Sequence, residues 1–431
     1  MPDSIEVRIE KLIYGGDGLG HSDGHTVFVP FVLPEEVASI RPTERRKKFI
    51  RGRVERIAQP SAERIAPGCP HFGVCGGCNY QHIPYELQLR YKSEILRETL
   101  SRLARIKWEG TISSHASPAF GYRNRAQWKT EQIPGGPRSV GYYEAGSQKL
   151  CRVDACPIVS PRLAEALAAI ASLVAKNRLP ATLREVEAFA DAADSQLLLN
   201  LSFDSLEGGH EAIAETLRGA LANVETILLQ DRRADKFELS GPGHINYQVR
   251  DWVFRVGHLS FFQVNRFLFD KLVDTVLGDS RGELALDLFA GVGLFTVPLA
   301  HRFQRVVGIE SNVAAARDLE ANLQQSGAAS PSFRQTDVES FLARWHDKPD
   351  LIVVDPPRAG VPPQALARIV KLSPATIAYL SCDPATLARD LAVLVGTEDK
   401  PGLYRISEVH LVDIFPQTYH METLVRLSRR E

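Results

Sequence analysis

Cys382 lies in the tetrapeptide Ser381-Cys382-Asp383-Pro384, immediately ahead of the helical pattern ATLARDLAVLV. An Asp cap and a Pro in the first turn place the thiol at or just before a helix N-terminus. The dipole there favours a thiolate, and the neighbouring Asp383 opposes it. A cysteine at the tip of a strand is a candidate nucleophile. Further on, DIFPQTYHMETL (413–424) sets Pro416, His420 and Glu422 in the turn between two strand-like runs. Glu422 is a candidate general base and His420 its rival.

A second group of residues reads as a ligand edge. DLFAGVGLF (287–295) is a strand, a G-x-G turn and a helix, so that Gly291 and Gly293 let backbone approach a ligand beside Phe289. Glu310 ends the next strand-like run, RVVGIE, and offers a carboxylate to ribose hydroxyls. Asp337 follows the run SFRQ, and the next strand ends in Asp355-Pro356-Pro357-Arg358. Two carboxylates and a G-x-G suit a nucleoside, with nicotinamide and S-adenosylmethionine both open. Adding Asp355 to the succession Gly293, Glu310, Asp337 favours a methyl donor.

The third group is a C-x5-C-x2-C cluster of Cys69, Cys75 and Cys78, with Cys156 lying 78 residues further on and Cys151 close by. Four thiolates can bind zinc or an iron–sulfur cluster. Three near cysteines with one distant partner predict [4Fe–4S] on Cys69, Cys75, Cys78 and Cys156, Cys151 being able to replace the last.

These residues need elements to position them. Residues 5–58 read as four strand-like pieces, with a turn at GGDGLG, closing into a small OB-like barrel. Leu87 to Ile106 carries apolar residues at helical spacing. From 113 to 255 short strands alternate with one alanine-rich helix near 161–176. The last 170 or so residues alternate apolar strands with amphipathic helices, as in a parallel doubly wound sheet. The expected domains are 1–58, 69–258 (with helix 87–106 able to pack on the catalytic unit) and 259–431.

With 431 residues, 44 % apolar and 24 % charged, the chain has a globular composition that excludes disordered, collagenous and disulfide-scaffold classes. The N-terminus shows no signal-peptide pattern, and the unevenly spaced cysteines suit a reducing, cytoplasmic setting. No run of about 18 residues lacks charge, so no membrane partner is expected. The net charge of −1 conceals a run, Arg41 to Arg56, with eight basic and two acidic side chains. Arg123 and Arg125 lie near Tyr122 and Trp128, a mixture that suits phosphates and unpaired bases.

Taken together, these residues resemble the RNA uracil-C5 methyltransferase family, in its iron–sulfur, TRAM-containing branch. The resemblance spans nearly the whole chain and implies a class I (Rossmann-like) methyltransferase domain behind a TRAM barrel and a β-rich central domain. FFQVN (261–265) matches the family's cofactor-entry motif, which implies a contact from Gln263 to S-adenosylmethionine. DLFAGVG, Glu310, Asp337, DPPR, SCDPATLARD and FPQTYHMET follow in the expected order. The resemblance implies attack of Cys382 on C6 of a flipped-out uridine and removal of the C5 proton by Glu422. It also implies an RNA partner, with 23S rRNA favoured and tRNA the alternative, and a monomer. Leu294 departs from the family, where that position is often polar. A radical S-adenosylmethionine methylthiotransferase is a rival, but it would need C-x3-C-x2-C. A non-catalytic RNA-binding module is another, opposed by the intact Glu310, Asp355, Cys382 and Glu422.

Overall fold

The computed structural model describes residues 4–133, 135–206, 209–397 and 400–431. Strands β1 (Ile5–Leu12), β2 (Asp17–Ser22), β3 (His25–Pro30), β4 (Val37–Arg45) and β5 (Phe49–Gln59) close into a barrel of order β1-β2-β3-β5-β4. Alternate residues Val7, Ile9, Val27, Val29, Ile40 and Ile50 fill its interior. Strand β2 occupies glycine-rich chain where the sequence predicts a turn. Its glycines serve close packing: a Cβ on Gly18 would stand 2.8 Å from Ile9 Cγ2, and one on Gly20 would fall on the Arg8 carbonyl oxygen.

Helix α1 (Tyr85–Ala104) buries Gln88, Tyr91, Lys92, Ile95, Leu96 and Leu100 on one stripe and packs against the C-terminal half of the chain. Strand β6 (Ile112–His115) follows. A seven-stranded sheet, ordered β13-β12-β11-β10-β7-β8-β9, holds β7 (Arg125–Gln132), β8 (Arg138–Tyr143), β9 (Leu150–Arg152), β10 (Leu183–Ala190), β11 (Leu197–Phe203), β12 (Val224–Asp231) and β13 (Lys236–Ser240). Two helices serve this sheet where the sequence predicts one. Helix α2 (Pro161–Ala175) is joined by α3 (His210–Ala220), which starts at Gly209 without a side-chain cap and buries only Ile213, Ala214 and Leu217. The hairpin β14 (His244–Val249) and β15 (Trp252–Gly257) comes next.

The remaining elements are α4 (Phe269–Leu277), β16 (Gly282–Leu288), α5 (Thr296–Ala300), β17 (Phe303–Glu310), α6 (Val313–Gln325), β18 (Pro331–Gln335), α7 (Val338–Arg344), β19 (Leu351–Val354), α8 (Pro363–Leu372), β20 (Thr376–Ser381), α9 (Pro384–Val395), β21 (Tyr404–Val412) and β22 (Glu422–Arg429). They form a mixed α/β core on an eight-stranded sheet ordered β18-β17-β16-β19-β20-β22-β21-β6. The first five strands in that order are parallel and β22 runs against its neighbours on both sides. All four residues of β19 are buried, as expected of a parallel strand covered on both faces. Strand β6 adds to the far edge, parallel to β21. Among the described residues no helix is long and apolar enough to cross a membrane.

Candidate active site

Strand register gathers the sequence-predicted residues along the C-terminal edge of the parallel strands. Leu288 pairs with Ile309 on one side and Val354 on the other, so one step further Phe289 stands between Glu310 and Asp355. Ser381 pairs with Thr423, and the next step sets Cys382 opposite Glu422. Antiparallel partners have Cα atoms about 4.5–5.5 Å apart, which brings thiol and carboxyl within reach of one small ring. Glu422 is the first residue of β22 rather than part of the turn, and it is 3 % exposed.

The G-x-G turn is built from unusual backbone. Phe289, Gly291 and Gly293 have φ values of +65°, +56° and +96°. A non-glycine residue at positive φ is strained and persists where its surroundings hold it. The Glu310 carboxylate supplies part of that hold, accepting from Gly291 N at 2.8 Å and Asn312 N at 2.6 Å. A Cβ on Gly293 would lie 2.7 Å from Leu319 Cδ1, whereas one on Gly291 would meet nothing within 4 Å. The turn is therefore packed on one side and open on the other. Asp337 is exposed and caps α7, its Oδ1 accepting from Ser340 N at 2.8 Å. Gln263 is buried in a loop, flanked by Phe262 and Val264, which share an apolar cluster with Ala290 and Val292.

Electrostatics sharpen the site. Burial pushes Asp287 and Asp355 up to about 7, each assisted by a neighbouring carboxylate. Burial and Asp355 hold the Glu422 carboxyl well above its usual range. Like charges so close cannot all ionise. Cys382 follows the same logic: burial, then Glu422 and Asp355, push its thiol up to about 11, with Arg358 pulling the other way. Burial and these two carboxylates thus outweigh the pull of the helix dipole toward thiolate. Asp383 is occupied as the α9 cap, accepting from Ala385 N at 2.9 Å and Thr386 N at 3.0 Å. His420 moves in the opposite direction, held down to about 4 by burial and by Arg358, Lys92 and Arg123.

The iron–sulfur expectation is corrected. Among the described residues no group of three or more His, Cys, Asp or Glu side chains is placed to hold a metal ion. Cys69, Cys75, Cys78 and Cys156 line one cavity of about 220 Å³, where burial pushes the Cys75 thiol up to about 11 and that of Cys78 up to about 12. Backbone donors face two of the sulfurs, Gly77 N reaching Cys75 Sγ at 3.4 Å and the backbone at Ile158 and Val159 facing Cys156. Cys151 is buried beside them in the central sheet.

Residues 84–430 match the family described as tRNA (Uracil-5-)-methyltransferase, and residues 3–54 match the TRAM domain. The chain belongs to the TRAM-containing RNA uracil-C5 methyltransferase family. Among curated relatives, the 23S rRNA (uracil(1939)-C(5))-methyltransferase RlmD of Alkalilimnicola ehrlichii is 32 % identical, over 99 % of this chain and 97 % of its own. RlmD of Salmonella paratyphi A is 33 % identical over 99 % and 96 %. A solved structure of the Pyrococcus abyssi tRNA (uracil-54, C5)-methyltransferase with S-adenosyl-L-homocysteine superposes with a TM-score of 0.77 at 25 % identity, covering 98 % of this chain and 100 % of that one.

For a member of this methyltransferase family, the G-x-G edge fits the methyl donor. The space beside Gly291 is a cradle that a side chain would fill, Asp287 Oδ1 is buried without a partner behind it, and the Glu310 carboxylate stands at its rim. Several residues that shape the site carry no local sequence signal. Tyr14, from the loop after β1, donates from its hydroxyl to the Cys382 carbonyl at 3.3 Å and sets its ring edge-on to Tyr419 at 5.6 Å. Gln88 and Lys92 of α1 reach the segment that leads into Glu422.

Proposed function

We propose that this protein methylates C5 of a uridine in RNA with S-adenosylmethionine, through a covalent bond between Cys382 and C6. The observation that carries the reading is the register that sets Cys382 opposite Glu422 on the same edge as the open Gly291 turn. In this reading Gly291 and Gly293 hold the donor, Phe289 and Gln263 flank it, Glu310 takes its ribose hydroxyls, and Asp337 and Asp355 complete the edge. The donor supplies an electrophilic methyl group on a sulfonium. Residues 259–431 then act as a class I (Rossmann-like) catalytic domain in a cytoplasmic enzyme, with 1–58 and 69–258 gripping RNA around a flipped-out base.

C5 of uracil is a poor nucleophile. Addition of the Cys382 sulfur to C6 moves the ring electrons to C5 and O4, and C5 becomes able to form a carbon–carbon bond. The C5 proton must then leave. Free histidine is a stronger base than free glutamate, but here the order is inverted: Glu422 is raised well above 4.5 while His420 is held near 4. That supports Glu422 as base over His420.

Two readings of the RNA each have an observation behind them. The family description and the superposed structure are named for tRNA, and the relatives with 32–33 % identity are named for 23S rRNA. The test is purified protein with methyl-labelled donor and separated tRNA and rRNA from cells lacking the gene, followed by mapping of 5-methyluridine. Label confined to tRNA removes the rRNA reading, and the reverse result removes the tRNA reading. Cys382→Ala should abolish transfer while donor affinity stays within about twofold, and retained methylation would overturn the covalent route.

A further inference from the structure

Residues 413–421, between β21 and β22, have no regular structure of their own, yet they deliver the chain to Glu422. Most of the bonds that hold them come from outside the 259–431 unit. Lys92 Nζ donates to Asp413 Oδ1 at 2.6 Å and to the Phe415 carbonyl at 3.1 Å. Gln88 Oε1 accepts from Gln417 N at 2.9 Å while its Nε2 donates to Gln417 Oε1 at 3.0 Å. The Tyr122 hydroxyl donates to the Pro416 carbonyl at 2.9 Å, and Asn79 N and Tyr80 N both donate to the Gln417 carbonyl at 2.9 Å.

The segment is held in a conformation it would not keep alone. Gln417 has φ +68°, a region L side chains rarely adopt. Lys92 and Asp413 both have fully buried side chains, 0 % exposed. A buried ion pair is weak evidence for stability, because apolar side chains of the same volume often do as well; what it can do is specify one arrangement. Arrangement matters at this position, since Glu422 must meet one carbon of a bound ring.

We propose that Lys92 and Gln88 of α1 are positioning residues for Glu422, setting the path of 413–421 so that its carboxyl faces the ring carbon next to the one bonded to Cys382. The inference rests on the Cys382–Glu422 reading above. The step served is elimination. The C5 proton passes to the Glu422 carboxylate, the C5–H electron pair forms the C5–C6 double bond, and the C6–S bond breaks with its electrons on sulfur. A displacement of about 1 Å can cost on the order of 100-fold in such a step. Addition and methyl transfer, which do not use Glu422, are spared.

The test uses full-length Lys92→Met and Gln88→Ala with substrate RNA and methyl-labelled donor. Turnover should fall about 10- to 100-fold while kcat/KM for RNA and donor stays within about twofold, because the slowed elimination follows methyl transfer. A denaturation-resistant protein–RNA adduct carrying the label should accumulate, at least fivefold over the unsubstituted protein. Unchanged turnover, or reduced turnover without labelled adduct, overturns the proposal. Gln88→Ala leaves the ion pair intact and decides the matter alone if Lys92→Met does not fold. Cys382→Ala separates the two levels: if it still methylates, the underlying reading fails. If it is inactive while both α1 variants behave as unsubstituted protein, only the positioning role fails.

Discussion

Arg358 stands against Glu422 and Asp355 in setting the Cys382 thiol. Because the thiolate is the nucleophile and the thiol is pushed up to about 11, its fraction rises about tenfold for each pH unit through the neutral range. Adduct formation should therefore accelerate from pH 7 to 9. Arg358→Gln removes the stabilising cation, raises the thiol further and moves the curve to higher pH. At pH 8 adduct formation should be about tenfold slower, with the loss constant through the pH 7 to 9 range and shrinking only as pH approaches about 11. Single-turnover adduct formation against pH checks this, and an identical profile would remove Arg358 from the argument. Glu422→Gln acts later in the reaction. It keeps the shape of the side chain but cannot take the C5 proton, so labelled adduct should persist through denaturation while turnover drops at least 100-fold. Electrophoresis of the denatured mixture reads the outcome, and free turnover would return the base role to His420.

At the scale of elements, the two glycines of the donor turn should respond differently to alanine. Both have positive φ, so each substitution costs on the order of 1 kcal/mol in backbone strain. Gly293→Ala also drives a methyl into Leu319 Cδ1, bringing its cost to about 2–4 kcal/mol. Gly291→Ala meets open space, so melting should fall little while donor affinity falls tenfold or more. Melting curves with isothermal titration separate the two, and equal losses of stability would contradict the packing described. The same contrast explains what was legible in the sequence. The strand tips at Gly291, Glu310, Asp355 and Cys382 could be read because each ends an apolar run at a turn. Strand β2 could not, since glycine required for close packing looks like glycine required for a turn. The stripe of α1 was legible as apolar residues, but Gln88 and Lys92 lie within it and their partners are more than 300 residues away. The thiol cluster shows the converse: ligand spacing was legible, but side-chain placement was not. Nor was the upward push on the Cys382 thiol, because the burial that dominates it is tertiary and the carboxylates that add to it come from two other strand ends.

For the molecule as a whole, the barrel does more than precede the catalytic core. Tyr14 bonds the Cys382 carbonyl, and Leu12 and Leu33 share an apolar cluster with α1 and the eight-stranded sheet. The barrel is thereby joined to the strand tip that carries Cys382. Its basic run spans β4, the turn after it and β5, and offers cations that RNA phosphates can meet. Of the eight cations, Arg41, Arg46 and Arg51 are engaged with Glu55, Glu44 and Asp17, while no ion pair is formed by Lys47, Lys48 or Arg53 among the described residues. Cations without an acidic partner neutralise phosphates and release counterions, so binding should weaken steeply with salt. Substituting Lys47, Lys48 and Arg53 together by Gln should raise KM for RNA about 10- to 100-fold at about 0.15 M salt. The slope of log affinity against log salt should fall by about one for each phosphate left without its cation, at most about three. Single-turnover methyl transfer at saturating RNA should stay within about twofold, because none of the three side chains reaches the Cys382–Glu422 edge. Filter binding across a salt series measures the slope, and an unchanged slope would show that RNA approaches the protein by another face.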